Sequence, residues 1–172
     1  GHPLRLPVPS SPAEAVRTLS AALAELRRGA DAPAHILVAV TGASNVTGEV
    51  WPVAELARIA HLHGARIALD AAQLAPHVPV DIAELDVDYV AISGHKLYAP
   101  FGAGVLAGRG DWLDAAEPYL RGGGATARVG AGTHDVVWNA GPARHEAGTP
   151  NLLGAVALAA VCAALQVADR DA

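Results

Sequence analysis

Lysine occurs once in this chain, at Lys96, while the other eleven of its twelve basic residues are arginine. It closes the run Val90-Ala91-Ile92-Ser93-Gly94-His95-Lys96, where an apolar stretch stops at small and polar residues. Arginine serves equally well as a solvated charge, but only a primary amine with an adjustable pKa condenses with an aldehyde. A lone surface lysine that survived an arginine bias is the competing explanation. It is weakened by Asp70, a carboxylate that ends a second short apolar run 26 residues upstream, in Arg66-Ile67-Ala68-Leu69-Asp70-Ala71-Ala72-Gln73.

These groups need a frame. His35 to Val40 reads as a strand that ends at Thr41-Gly42-Ala43-Ser44-Asn45, and residues 52 to 63 read as a helix between Pro52 and Gly64. Strand, helix, strand, crossover, strand is the pattern of a parallel sheet covered by helices, and Ala71 to Asp88 is long enough for the crossover. Asn45, Asp70 and Ser93 to Lys96 then emerge near the carboxyl ends of strands, where open α/β sheets bind ligands.

An aldehyde-binding amine and a carboxylate placed to pair with a ring nitrogen suit pyridoxal 5'-phosphate, whose pyridine acts as an electron sink when protonated. Gln73 could hydrogen-bond the ring hydroxyl, and Ser93 and His95 offer donors for a phosphate.

The strings SNVTGE, DAAQ, SGHKLYAPFGAG and RHEAGTPN, in that order, resemble those of the class V, fold-type I pyridoxal phosphate enzymes. Within that group the similarity is to cysteine desulfurases and selenocysteine lyases, over roughly Leu4 to Val167. DAAQ alone would mean little; four strings in order are specific. The resemblance implies a three-layer αβα sandwich with a mainly parallel sheet, the large domain of the fold-type I transferases. It implies that Lys96 joins the cofactor aldehyde and shuttles the substrate's α-proton. Asp70 would pair with the pyridine nitrogen, Gln73 with the ring hydroxyl, and Ser93 and His95 with the phosphate. Asn45 would sit near the ring hydroxyl or the substrate carboxylate. Thr149 would reach the phosphate of the neighbouring subunit, which makes a homodimer part of the site. The implied substrate is a small amino acid that loses sulfur or selenium, with class V transamination or epimerisation as the alternative. A non-catalytic domain that keeps the shape is a third reading, opposed by the intact Lys96, Asp70, Gln73 and His95.

The departures from the family concern the flanks. Its members are longer, with an N-terminal phosphate loop and ring-stacking residue, and a C-terminal small domain carrying the substrate-carboxylate arginine and, in desulfurases, a reactive cysteine. The sequence therefore reads as a single large-domain core, residues 1 to 172, without those flanks; an excised piece fits better than a natural short protein. Cys162, the only cysteine, lies among Ala159, Ala160, Val161, Ala163, Ala164 and Leu165. Those neighbours predict an inert thiol packed on a helix face, since a persulfide carrier is exposed and electropositive.

Composition sets outer limits. Hydrophobic residues at 52% and charged residues at 17% suffice for one core, and a net charge of −5 without a basic block argues against nucleic acid. One cysteine fits a reducing, cytoplasmic setting. The 14-residue apolar run Leu152 to Leu165 is too short to span a bilayer and reads as a buried helix.

Elsewhere, Leu4 to Val8 is expected to form a short edge strand, and Ser11-Pro12-Ala13-Glu14 a capping box that opens a helix ending at Gly29. Gly102 to Ala107 reads as a further strand, which the resemblance implies runs antiparallel to the rest. Residues 121 to 149, with Gly122-Gly123-Gly124 and Gly130-Ala131-Gly132, suggest a mobile loop; a glycine-rich phosphate cradle is the weaker reading. Trp138 is expected to pack, and Arg144 and Glu146 to form an internal ion pair or meet substrate. His61 and His63 sit two apart on a helix and cannot share a metal comfortably, and His35, His77, His134 and His145 have no ligand spacing. Asp81, Glu84, Asp86 and Asp88 read as a solvated connection.

Overall fold

The computed structural model describes residues 3–28, 31–100, 102–132 and 135–167. Helix α1 (Pro12–Arg28) starts from a modified capping box. Ser11 Oγ accepts from the Glu14 N–H at 3.2 Å, but the Glu14 carboxylate reaches one residue further back, to the Ser10 N–H at 2.6 Å and the Ser10 hydroxyl. Residues 3–9 form no strand. Pro3, Pro7 and Pro9 remove the donors that an edge ladder would need. The expected stop at Gly29 lies outside the described residues.

Strand β1 (Leu37–Thr41), helix α2 (Val53–Leu62), β2 (Arg66–Asp70) and β3 (Tyr89–Ser93) follow the anticipated alternation. The sheet runs β1-β2-β3-β4 with the first three strands parallel, and β4 (Gly104–Gly108) pairs antiparallel to β3, the orientation the resemblance implied. The β2–β3 crossover contains only one short helix, α3 (Ile82–Leu85), capped by Asp81, whose Oδ1 accepts from the N–H groups of Ala83 and Glu84.

Alternation along each strand divides the sheet. Val38, Ile67, Leu69 and Val90 are buried and belong to one core with Leu19 and Leu23 of α1 and Val53, Leu56 and Ala60 of α2. Complete burial of a side chain such as Ile67 contributes about 1.5–3 kcal/mol. Arg27 fastens the two helices, donating to the carbonyls of His63, Gly64 and Pro33 at 2.6–2.9 Å. Gly64, at φ +64°, ends α2 in the left-handed conformation that glycine adopts without cost. On the other face Leu37, Ala39, Ala91 and Leu106 are exposed, so among the described residues helices α1 and α2 cover only one side.

Two expectations change beyond β4. The described residues between 121 and 149 form a 3-10 turn Gly123–Ala125, an antiparallel pair of β5 (Thr126–Val129) and β6 (Val136–Trp138), and a second 3-10 turn Gly141–His145. Helix α5 (Leu152–Val167) is not buried all round. Gly154 and Leu158 are buried, with Ala157, Val161 and Leu165 partly so, while Leu152, Leu153 and Val156 are exposed. Cys162 is likewise exposed and does not pack as its apolar neighbours suggested. No helix among the described residues is long and apolar enough to cross a membrane.

The amino ends of the strands carry a charge network. Asp88 is 5% exposed, not part of a solvated connection. Its Oδ2 accepts from the Ile67 N–H and from His61 Nε2, both at 2.9 Å, while His61 Nδ1 donates to Asp86 at 3.1 Å. An imidazole that faces two carboxylates donates from both nitrogens only when protonated. The bond to Asp88 is the main reason the His61 pKa is raised. Next to it, Arg66 makes a bidentate pair with Asp111 of α4 (Asp111–Ala115), donates to the Tyr89 hydroxyl and lies over the Trp112 ring. The Arg66 guanidinium holds the Asp111 carboxyl below its usual range.

Because the folded His61 pKa lies above the unfolded value, its contribution is complete below pH ~6.5 and fades as pH rises through the folded value. Chemical denaturation at a series of pH values should therefore show His61→Ala costing about 1–3 kcal/mol at pH 6, and less at pH 9. A pH-independent difference would contradict the charged clamp.

Candidate functional site

Parallel registers bring the carboxyl ends of β1, β2 and β3 into line. Thr41 stands opposite Asp70, and Asp70 opposite Ala91, with Ser93 two residues further along β3. The ladders continue past the strands, from the Gly42 N–H to the Asp70 carbonyl at 2.8 Å and from the Ala71 N–H to the Ala91 carbonyl at 2.9 Å. An open depression of about 500 Å³ lies along this end of the uncovered face, lined by Ala39, Thr41, Ala68, Asp70, Ala72, Ala91, Ser93 and Leu106 among others. Alanine on all three parallel strands leaves a shallow apolar floor beneath the Asp70 carboxylate. One carboxylate oxygen accepts from the Ala72 N–H at 2.9 Å, which fixes its orientation.

Lys96 belongs to the 3-10 turn Gly94–Leu97 that begins as β3 ends. The turn is held at both ends. The Gly94 N–H donates to the Ala103 carbonyl at 2.7 Å and the Ala99 N–H to the Gly94 carbonyl at 2.9 Å, while Leu97 and Ala99 are buried. Tyr98 closes the turn at φ +67°. Lys96 itself is half-buried, and no hydrogen bond or ion pair engages its amine among the described residues. Ser93 Oγ and His95 Nδ1 are 2.8 Å apart, which leaves Nε2 of the exposed imidazole for another partner.

Asn45 and Gln73 meet in a second depression of about 260 Å³, with Ser44, Gly48 and His77. Gly42 makes this possible. A Cβ there would stand 2.8 Å from Leu74, so glycine lets the loop after β1 approach the turn after β2. Ser44 Oγ accepts from the N–H groups of Val46 and Thr47 and shapes the loop that carries Asn45. Thr149 is exposed on the segment ahead of α5 and lines neither depression.

Two expectations about neighbouring residues change. Arg144 forms no ion pair with Glu146 among the described residues; its guanidinium donates to the carbonyls of Asn139, Asp114 and Ala116. The Gly122–Gly124 stretch is a contact surface for backbone. Sequence reasoning also passed over Thr41 and Ala72 as lining residues. Ala72 lies inside the DAAQ string, whereas nothing local marks Thr41. No group of three or more metal-ligating side chains occurs among the described residues.

The sequence profile for aminotransferase class-V matches residues 14–172. The chain belongs to that family. The class V assignment is accompanied by similarity to a cysteine desulfurase of Klebsiella pneumoniae (strain 342), 46% identical over 128 residues, which are 74% of this chain and 31% of the relative. Among solved structures, the cysteine desulfurase CsdA of Escherichia coli superposes with a TM-score of 0.80 at 35% identity, over 97% of this chain and 39% of that one. A mutant of C-DES, with glycine covalently linked to its PLP cofactor, gives 0.66 at 30% identity, over 88% and 40%. The fold is therefore that of the fold-type I class V enzymes, and this chain spans about a third of the length of the relatives it matches.

Gly94 is the point where the lysine turn is most tightly enclosed. A Cβ there would stand 2.5 Å from the Ala103 carbonyl oxygen and 3.4 Å from Leu158. Gly94→Ala should cost about 1–3 kcal/mol, read as a lowered Tm, because the turn, β4 and α5 must separate. An unchanged Tm would show that the turn is not clamped in this way.

Proposed function

We propose that this chain is the pyridoxal 5'-phosphate-binding core of a cysteine desulfurase-like enzyme that removes sulfur or selenium from the side chain of a small amino acid. The observation that carries the reading is the placement of the sole lysine on a turn at one strand end, with a carboxylate at the carboxyl end of the adjacent strand. The similarity to cysteine desulfurases narrows the reaction.

The residues present fit the cofactor. Asp70, oriented by the Ala72 N–H, suits a protonated ring nitrogen. The alanine floor suits a flat ring, and the Ser93–His95 pair suits a phosphate. Lys96 would hold the aldehyde, and Gln73 and Asn45 would meet the ring hydroxyl. When bound, pyridoxal phosphate withdraws electrons so that bonds at the substrate's Cα and Cβ can break. Lys96 Nζ, when neutral and not bonded to the aldehyde, would be a base of suitable strength to take the proton from the substrate's α-carbon and return it. Thr149 contributes a hydroxyl to the phosphate of a neighbouring subunit in a homodimer. A cytoplasmic location completes the reading, consistent with the single cysteine.

Because lysine occurs once, borohydride reduction after adding pyridoxal phosphate has only Lys96 and the α-amine to label. An imine absorbance band and a reduced adduct on the Lys96 peptide are expected, with both lost in Lys96→Ala. A normal band in Lys96→Ala, or label confined to the α-amine, would overturn the assignment. Asp70→Asn should keep the adduct yet slow exchange of an added amino acid's α-proton for deuterium by about a hundredfold, as measured by NMR.

A further inference from the structure

We infer that Gly124 and Arg144 are positioning residues for Thr149: they fix the backbone that carries its hydroxyl, and through it the grip on the cofactor phosphate. The inference rests on the proposed cofactor reading and adds the residues that make Thr149 effective.

The segment Glu146–Gly148 lies directly on the 3-10 turn Gly123–Ala125. The Gly124 N–H donates to the Ala147 carbonyl at 3.1 Å. A Cβ on Gly124 would collide with the Glu146 carbonyl and stand 2.5 Å from that of Gly148, and one on Gly122 would collide with the Ala147 carbonyl. Only glycine admits three successive carbonyls this closely. From the other side, the Gly124 carbonyl accepts from Asn139 Nδ2 at 2.9 Å, and the Ala125 carbonyl from the Asn139 N–H at 2.8 Å.

Arg144 closes the knot. Its Nε donates to the Asn139 carbonyl at 2.9 Å, while NH1 donates to Asp114 and, at 3.2 Å, Ala116 at the end of α4. One guanidinium thus gathers α4, the end of the hairpin and the turn Gly141–His145. His145 adds a contact to the Leu113 carbonyl at 2.9 Å. A planar five-donor fork spans such a set, and a lysine ammonium does not. Thr149 follows this segment by one residue, is exposed, and makes no hydrogen bond of its own among the described residues. Its position is therefore set by the backbone on either side, the segment Glu146–Gly148 before it and Asn151, whose Oδ1 accepts from the Gly154 N–H at 3.0 Å, after it. That is the arrangement expected of a hydroxyl kept available for a ligand on another subunit.

A phosphate contact is separated from general structure by comparing pyridoxal phosphate with pyridoxal, which lacks the phosphate. Absorbance titrations of both are made on the wild type, Gly124→Ala, Arg144→Lys, Thr149→Ala, and each positioning variant combined with Thr149→Ala, with melting curves for every protein. Gly124→Ala and Arg144→Lys should weaken pyridoxal phosphate binding by about tenfold or more, as Thr149→Ala does, and leave pyridoxal unchanged. The combined variants should bind no worse than Thr149→Ala alone. Equal losses for both ligands, no loss for either, or additive losses in the combined variants would overturn the inference. If Gly124→Ala melts below the assay temperature, Arg144→Lys decides. Loss of phosphate selectivity in no variant, with the Lys96 adduct intact, would leave the cofactor reading standing and remove Thr149 from it. Absence of any adduct in the wild type would remove both.

Discussion

The candidate site depends on the parallel pairing of β1, β2 and β3. Parallel ladders repeat evenly, so their registers decide which residues share a strand end. Here they set Thr41, Asp70 and Ala91 side by side, and the ladder bonds of Gly42 and Ala71 carry the alignment into the loops. A shift of one residue between β2 and β3 would turn Ser93 to the opposite face and carry it away from Asp70. The buried residues of the other face, Ile67, Leu69 and Val90, prevent that shift, because it would expose them. Core packing and site geometry are therefore the same constraint seen from two sides of one sheet.

The two ends of the strands are used differently. At the amino ends, His61, Asp86, Asp88, Arg66 and Asp111 are paired with one another, and the Tyr89 hydroxyl and the Trp112 ring complete the network. Groups that satisfy each other in this way stabilise the fold and have little left for a ligand. At the carboxyl ends the polar groups are only partly engaged. Asp70 is oriented by one N–H, Ser93 by His95, and the Lys96 amine by none among the described residues. That contrast, rather than any one residue, distinguishes a binding edge from a structural one.

Apolar surface remains on the molecule. The sheet face with Leu37, Ala39, Ala91 and Leu106 is uncovered among the described residues, and α5 exposes Leu152, Leu153 and Val156. Parallel sheets in α/β proteins are covered on both faces, and among the described residues α1 and α2 cover one of them.

The succession of strands and helices, the α2 boundaries and the positions of Asp70 and Lys96 were legible in the residues, and the antiparallel β4 through the family resemblance. What the residues themselves gave follows from local rules: short apolar runs, period-3.6 hydrophobicity, prolines and glycines as punctuation, and a lysine that arginine cannot replace. Other features needed the tertiary structure. The burial of Asp88 between α2 and β2, the exposure of Cys162 and much of α5, and the hairpin where a mobile loop was expected depend on neighbours distant in sequence. The same is true of Gly42, Gly94 and Gly124, whose need for glycine comes from a carbonyl or side chain of another segment and not from their own dihedral angles. Sequence by itself determined which groups could do chemistry and on which elements they ride. Only the packed chain decided which of them meet, because register, close approach and burial are properties of pairs of segments.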